Sequence, residues 1–243
     1  GIRDKLVTGV ETCALPISKV AKYEDLKGQT IGVKGKLPPS IKALLPSHNL
    51  VEGTDYQTVL IDGYDPKVHI ELPSIVAFPG WKSNEPGQLK AANIDFNLFD
   101  PTQEKIPGSF GLIYSNKKFL SEHPTAAQDF MRATMKGLAD AIADPAAAAA
   151  ICVEAINANG NPNYLSPEGE TFRWQTEAAL ITSLTPAGTP FGMPDPAGLQ
   201  AEVDAYDAAG VYAEAGKPST EGLVDATVLA GIFDASGKVI WPN

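Results

Sequence analysis

Cysteine, histidine and positive charge are all scarce in this chain: of 243 residues two are Cys, three are His, and 19 Lys or Arg stand against 29 Asp or Glu. The formal charge of −10 is spread along the sequence. No basic patch answers a phosphate backbone, which argues against nucleic-acid binding. No apolar stretch approaches the roughly 20 residues needed to cross a bilayer, and the longest low-complexity run, Ala146 to Ala150, is a short helix former. His48, His69 and His123 are far apart, without an i,i+4 partner or a C-x-x-C pair, so neither a metal site nor a cofactor is expected. What is present is a hydrophobic content of 44%, enough to pack one large soluble domain or two modest ones.

The first residues lack the basic start, apolar core and small-residue cleavage site of a secretory signal. Instead Val7 to Ile17 resembles the conceptual translation of a common sequencing adapter, departing from it at Glu11. Gly1 to Ile17 is therefore set aside as an artefact. The charge is unaffected, because Arg3 and Lys5 cancel Asp4 and Glu11, and Cys152 is left as a single cysteine in an alanine-rich helix. A buried, inert thiol is expected there.

From Gln29 to Lys34 the sequence is strand-like. Gly35-Lys36-Leu37-Pro38-Pro39-Ser40 breaks it, and a helical pattern begins at Ile41. A second strand is read at Thr58 to Ile61, with a turn at Asp62 to Pro66. A third runs from Ile75 to Phe78, followed by a polar loop at Gly80 to Ser83, a helix from Glu85 or Pro86 to Ala92, and a strand at Phe96 to Phe99. Short apolar strands alternating with helices predict a largely parallel sheet covered on both faces. After Tyr114 long helices take over. Ser121 is read as an N-cap, and Ala127, Phe130, Met131, Thr134, Leu138 and Ile142 line one face. Further helices are read from Pro145 to about Asn157, Pro167 to Leu184, Leu199 to Ala209 and Val224 to Phe233.

Three segments together carry a family resemblance: Asp25-Leu26-Lys27-Gly28-Gln29-Thr30-Ile31-Gly32-Val33, Lys82-Ser83-Asn84-Glu85-Pro86, and Phe119 to Asp144 with His123-Pro124, Phe130, Ala133-Thr134, Gly137 and Asp144-Pro145. In their order and spacing the chain resembles solute-binding proteins of bacterial ABC importers, in the branch that binds aminopyrimidine thiamine precursors, alkanesulfonates, taurine and nitrate. The resemblance implies an α/β, two-lobed, periplasmic-binding-protein-like (type II) fold closing on its ligand by a hinge. Residues 18–28 would be a hinge or first-lobe remnant, 29–114 a complete second lobe, and 115–243 the helical C-terminal part of an incomplete first lobe. An N-terminally truncated gene fragment is expected on this reading, its signal peptide lost. The implied parent is an extracytoplasmic monomer working with ABC permease and ATPase subunits. It would bind a small molecule without catalysis. Fungal pyrimidine synthases, which resemble these binders, carry a cysteine-rich motif absent from this chain.

Ligands of open α/β sheets sit outside the carboxyl ends of the strands. Two loops qualify. In the first, Gly35, Lys36 and Ser40, assisted by Lys34, could hold a polar or anionic group at a helix start, although Pro38 and Pro39 remove two donors. A solvated turn is the alternative. In the second, Trp81 offers a face for stacking, and Asn84 with Glu85 offers a donor and acceptor pair. A carboxylate there suits a ligand with N–H donors, such as an aminopyrimidine, and disfavours a sulfonate or nitrate. The alternative is that Glu85 only favours the helix N-terminus. A third candidate is Ser109 and Phe110 between Gly108 and Gly111, with Tyr114 beyond on a hinge strand; the alternative is that Phe110 and, more so, Tyr114 are core residues of a buried strand.

Overall fold

The computed structural model of the chain describes residues 12–16 (backbone), 20–63, 65–108, 111–160 and 166–241. Gly1 to Glu11 and Ile17, within the segment set aside above, lie outside the described residues, as do Ser109 and Phe110. The chain packs as two units, one of Gly1–Leu112 with Ala197–Thr220, the other of Ile113–Pro196 with Glu221–Asn243.

The first unit is built on a four-stranded sheet of order β1-β4-β2-β3. The strands are β1 (Thr12–Pro16), β2 (Gln29–Val33), β3 (Tyr56–Leu60) and β4 (Ala77–Trp81). β2 runs parallel to both β3 and β4, while β1 pairs antiparallel with β4. Alternation along the strands divides the core. Ile31, Val33 and Ala77 join Ile41, Leu44 and Leu45 of α1 (Pro39–Ser47) on one face. On the other, Phe78 packs with Ile75 and with Leu89 of α3 (Glu85–Ala91), beside Ile70 of α2 (Pro66–Ile70). The sheet is thus covered on both faces, as the pattern of short apolar strands predicts.

Gly32 is fixed by this packing. A Cβ there would lie 2.8 Å from Ile75 Cδ1 and 2.9 Å from Ile61 Cγ2, so the bare backbone is what lets both isoleucines close over β2. Prolines set the helix starts: Pro39 opens α1 and Pro66 opens α2 behind an Asp65 cap that accepts from Lys67 N.

The second unit is helical: α4 (Lys117–Glu122), α5 (Pro124–Ala143), α6 (Pro145–Asn159) and α7 (Pro167–Leu184), with a 3-10 turn at Ala226–Leu229. α8 (Pro196–Ala208) lies almost wholly in the stretch that packs with the first unit. Asp144 caps α6 by accepting from Ala147 N, and Ser166 caps α7 by accepting from Gly169 N. Met135, Leu229 and Ile232 form the buried centre of this unit, with Met131 and Leu138 against them. Of the 20 residues of α5 only Ala127, Met135 and Ala141 are buried, and Phe130 is 61% exposed.

Several expectations from sequence are corrected. The strand expected at Phe96 to Phe99 is reduced to single bridge residues at Phe96 and Phe99. Asn93 turns left-handed at φ 55°, Asn97 Nδ2 donates to the Val20 carbonyl at 2.8 Å, and Phe96 and Phe99 diverge into the two separate clusters. Gly80 and Trp81 belong to β4 rather than to a loop, because the antiparallel partner β1 extends the strand, pairing Thr12 with Trp81. Ser121 is no cap: it lies inside α4 and its hydroxyl donates to the Lys118 carbonyl, while Pro124 sets the start of α5. The helix expected at Val224 to Phe233 shrinks to the 3-10 turn, since Gly231 takes a left-handed φ of 76°. Tyr114 is 75% exposed in a segment without regular structure, neither on a strand nor in a core. Cys152 is a free thiol, half-buried rather than buried.

Candidate functional site

Ile31 of β2 is level with Ala77 of β4, and the strands run parallel. β2 ends at Val33 and β4 at Trp81, both at the carboxyl edge of the sheet. The first two predicted loops therefore share one edge. Gly35 takes a left-handed φ of 97°, with open space where a Cβ would stand. Lys34 and Lys36 are exposed, and Ser40 is buried in the first turn of α1. Because Pro38 and Pro39 carry no N–H, the first backbone donors of that helix belong to Ser40 and Ile41.

Trp81 keeps 38% of its surface exposed while its backbone is tied down. Its N–H donates to Glu85 Oε2 at 2.7 Å, and its carbonyl accepts from Asn84 N at 2.9 Å. Glu85 is only 3% exposed, so its carboxylate braces the strand end and the start of α3 from inside. The Asn84 side chain accepts from Gln88 Nε2 at 3.0 Å and does not cap α3. Neighbouring protein dehydrates the Lys34 ammonium and pulls its pKa below the usual lysine range, against the opposing pull of Glu85.

Below this edge lies a polar lock that the sequence does not announce. Lys82 Nζ meets Asp100 Oδ1 at 2.7 Å, each side chain 9% exposed. The ammonium also donates to Thr102 Oγ1 at 3.0 Å, and that hydroxyl donates onward to Asp100 Oδ1 at 2.7 Å. The only local hint is the Asp-Pro-Thr turn, where Thr102 N donates to Asp100. Nearby, the Tyr23 ring stacks on His48 at 3.6 Å between centroids, and His48 Nε2 lies 3.8 Å from Glu104. Burial first, then the charges of Glu104 and Asp100, push the Tyr23 hydroxyl up to about 12.

Of the predicted site residues, Gly35, Lys36, Ser40, Trp81, Asn84 and Glu85 thus lie where β2 and β4 lead into α1 and α3, in one unit. Tyr114 falls in the other unit, and Ser109 and Phe110 lie outside the described residues. No cluster of three metal-ligating side chains occurs among the described residues. A shallow groove of about 220 Å³ in the second unit, bounded by Gln128 and Asp225, contains none of the predicted residues.

The largely parallel sheet covered by helices has counterparts among solved structures. The fold matches the alkanesulfonate-binding protein SsuA from Xanthomonas axonopodis pv. citri bound to MOPS at a TM-score of 0.56 and 18% identity, covering 90% of this chain and 68% of that one. It also matches the periplasmic aliphatic sulphonate binding protein SsuA from Escherichia coli at a TM-score of 0.54 and 16% identity, covering 84% and 60%. Within that architecture the chain belongs to the NMT1/THI5 like family, whose model matches residues 9–148. The riboflavin-binding protein RibY of Chloroflexus aurantiacus is 29% identical over 129 residues, 52% of this chain and 36% of that protein. The chain thus spans about a third of the length of that curated relative. No helix among the described residues is long and apolar enough to cross a membrane.

Proposed function

We propose that this chain belongs to the extracytoplasmic solute-binding component of an ABC import system, and that it captures a small aromatic, nitrogen-containing solute without turning it over. An aminopyrimidine thiamine precursor is the favoured ligand. The observation that carries the reading is Trp81, an exposed indole whose backbone is held from both sides at the carboxyl edge of the sheet. A rigid aromatic face stacks a flat ring at little entropic cost. That a relative is named for riboflavin, another flat nitrogenous ring, supports the same class. The working protein would be a monomer that hands its ligand to a permease driven by an ATPase. Residues 29–114 would form one lobe, residues 18–28 its hinge, and 115–243 the helices of the other.

A second reading, a small anion such as a sulfonate, taurine or nitrate, draws on Lys36, Ser40 and the amino end of α1. The Lys34 ammonium, within electrostatic reach of Glu85, also lessens the like-charge objection to an anion. Titrations of intrinsic fluorescence separate the two. An aminopyrimidine should quench the Trp81 signal saturably, and W81A should weaken binding about tenfold or more with an unchanged melting temperature. Saturable binding of an alkanesulfonate that is indifferent to W81A would favour the anion. Conversion of the bound compound to a product would point to an enzyme of the pyrimidine-synthase kind.

A further inference from the structure

At the carboxyl end of α1 an imidazole faces a carboxylate across a gap slightly too wide for a hydrogen bond. We propose that His48 is a proton-operated clasp: as an imidazolium it donates from Nε2 to Glu104 and fastens the turn of residues 100–106 to the end of α1. The clasp closes on acidification and loosens as pH rises past the ordinary histidine range, about 6.5.

Four observations converge. His48 Nε2 is buried and has no hydrogen-bond partner among the described residues, although Glu104 Oε2 stands 3.8 Å away. A charge on the ring would draw that carboxylate in and turn the contact into a charge-assisted bond. His48 also follows the last turn of α1, where its N–H donates to the Leu45 carbonyl at 3.0 Å and where the helix end favours a cation. Its ring lies flat on Tyr23, with centroids 3.6 Å and planes 17° apart, and an aromatic face likewise favours a cation. Finally, Glu104 belongs to a turn closed by its own backbone. Glu104 N and Ile106 N both donate to the Pro101 carbonyl, and Lys105 N donates to that of Thr102. A tie at Glu104 therefore holds the turn as a whole, not far ahead of the point where the chain leaves the first unit after Leu112. The titratable groups facing the imidazole are Tyr23 and Glu104, and Asp100, within electrostatic reach of Tyr23, has its charge met by Lys82 at 2.7 Å. Tyr23 stays neutral throughout the histidine range, so Glu104 supplies the counter-charge. Because the tie needs the proton, what it adds to the turn is present in acid and is lost as pH rises.

The test is hydrogen exchange on the full chain, read by mass spectrometry in peptides covering residues 100–106, with each rate divided by the intrinsic rate at its own pH. Parent, H48Q, E104Q and the double variant are compared at about pH 5.5 and about pH 8, on either side of the ordinary histidine range. Circular dichroism confirms that each variant folds. In the parent the turn should be about two- to fivefold better protected in acid, while the amides of β2 keep their protection within about twofold. Either single substitution should flatten that difference, and the double variant should flatten it no further. The Glu104 side chain is 41% exposed, so E104Q reads the clasp even where H48Q disturbs the stack on Tyr23. Equal protection of the parent's turn at the two pH values, or a turn unprotected at both, overturns the clasp. So does an equal change in β2, which makes the effect global. A pH response that survives E104Q also overturns it, because the proton then acts on the end of α1 and not on the turn.

Discussion

At the scale of single residues, the lock beneath the site makes the sharpest demand. Lys82 and Asp100 exclude water from each other's charge, and Thr102 bridges them, so removing one partner strands the other in a dry environment. D100N or K82M should cost about 3–5 kcal/mol in urea unfolding, whereas replacing both with apolar residues of similar volume should cost far less. Tyr23 contributes to the alkaline limit. Its pKa in the folded chain is raised from 10.0 to about 12, so above pH 10 the unfolded chain releases the proton that the folded one keeps. Its stabilising contribution is complete below pH 10 and is lost as pH rises through about 12. Burial raises Tyr56 in the same direction, so Y23F should shallow the decline of melting temperature over that range without abolishing it. None of this was legible in the sequence. Lys82 and Asp100 are 18 positions apart, and nothing local in either segment marks its partner. Trp81 was legible as a residue type, but its place at the end of a strand depends on its partner β1.

At the scale of elements, helix starts were the readable part. Pro145 behind Asp144 and Pro167 behind Ser166 combine a fixed φ with a capping side chain, and α6 and α7 begin where those signals stand. Strand ends read worse, because a strand is prolonged or cut short by its neighbours. β1 extends β4 to Trp81, and the segment that alternation reads as a strand at Phe96 to Phe99 is cut down to single bridge residues, with the Asn97 side chain bonded to Val20 between them. Glycine positions follow the same logic of tertiary demand. At Gly192, φ is 79° and a Cβ would run into the Met135 sulfur on α5. G192A should therefore destabilise the helical unit by about 1–3 kcal/mol, read as a lowered urea midpoint. G137A, on the open side of α5 where a Cβ meets nothing within 4 Å, should stabilise it by about 0.5–1 kcal/mol.

At the scale of the whole molecule, the two units differ in how much apolar surface they hide. The first has Ile31, Val33, Leu44 and Leu45 in a continuous cluster, while the second centres on Met135, Leu229 and Ile232 and leaves Phe130, Ile151 and Leu184 exposed. Local stability follows buried apolar contact. On heating, the helical unit should open first. Hydrogen exchange read by mass spectrometry should show amides of α5 to α7 exchanging before those of β2 to β4, and an equal rate in both would contradict the difference in cores.

The path of the chain through these units has a practical consequence. Residues 111–116 are exposed and without regular structure, and they include Leu112 and Tyr114, which offer chymotrypsin its preferred side chains. Residues 197–220 return to the unit that this segment has just left. A cut at Tyr114 therefore separates two stretches of one unit: where they hold each other, the break shows on a denaturing gel while a sizing column still reports one particle, and two particles on the column would show that residues 197–220 do not grip the sheet.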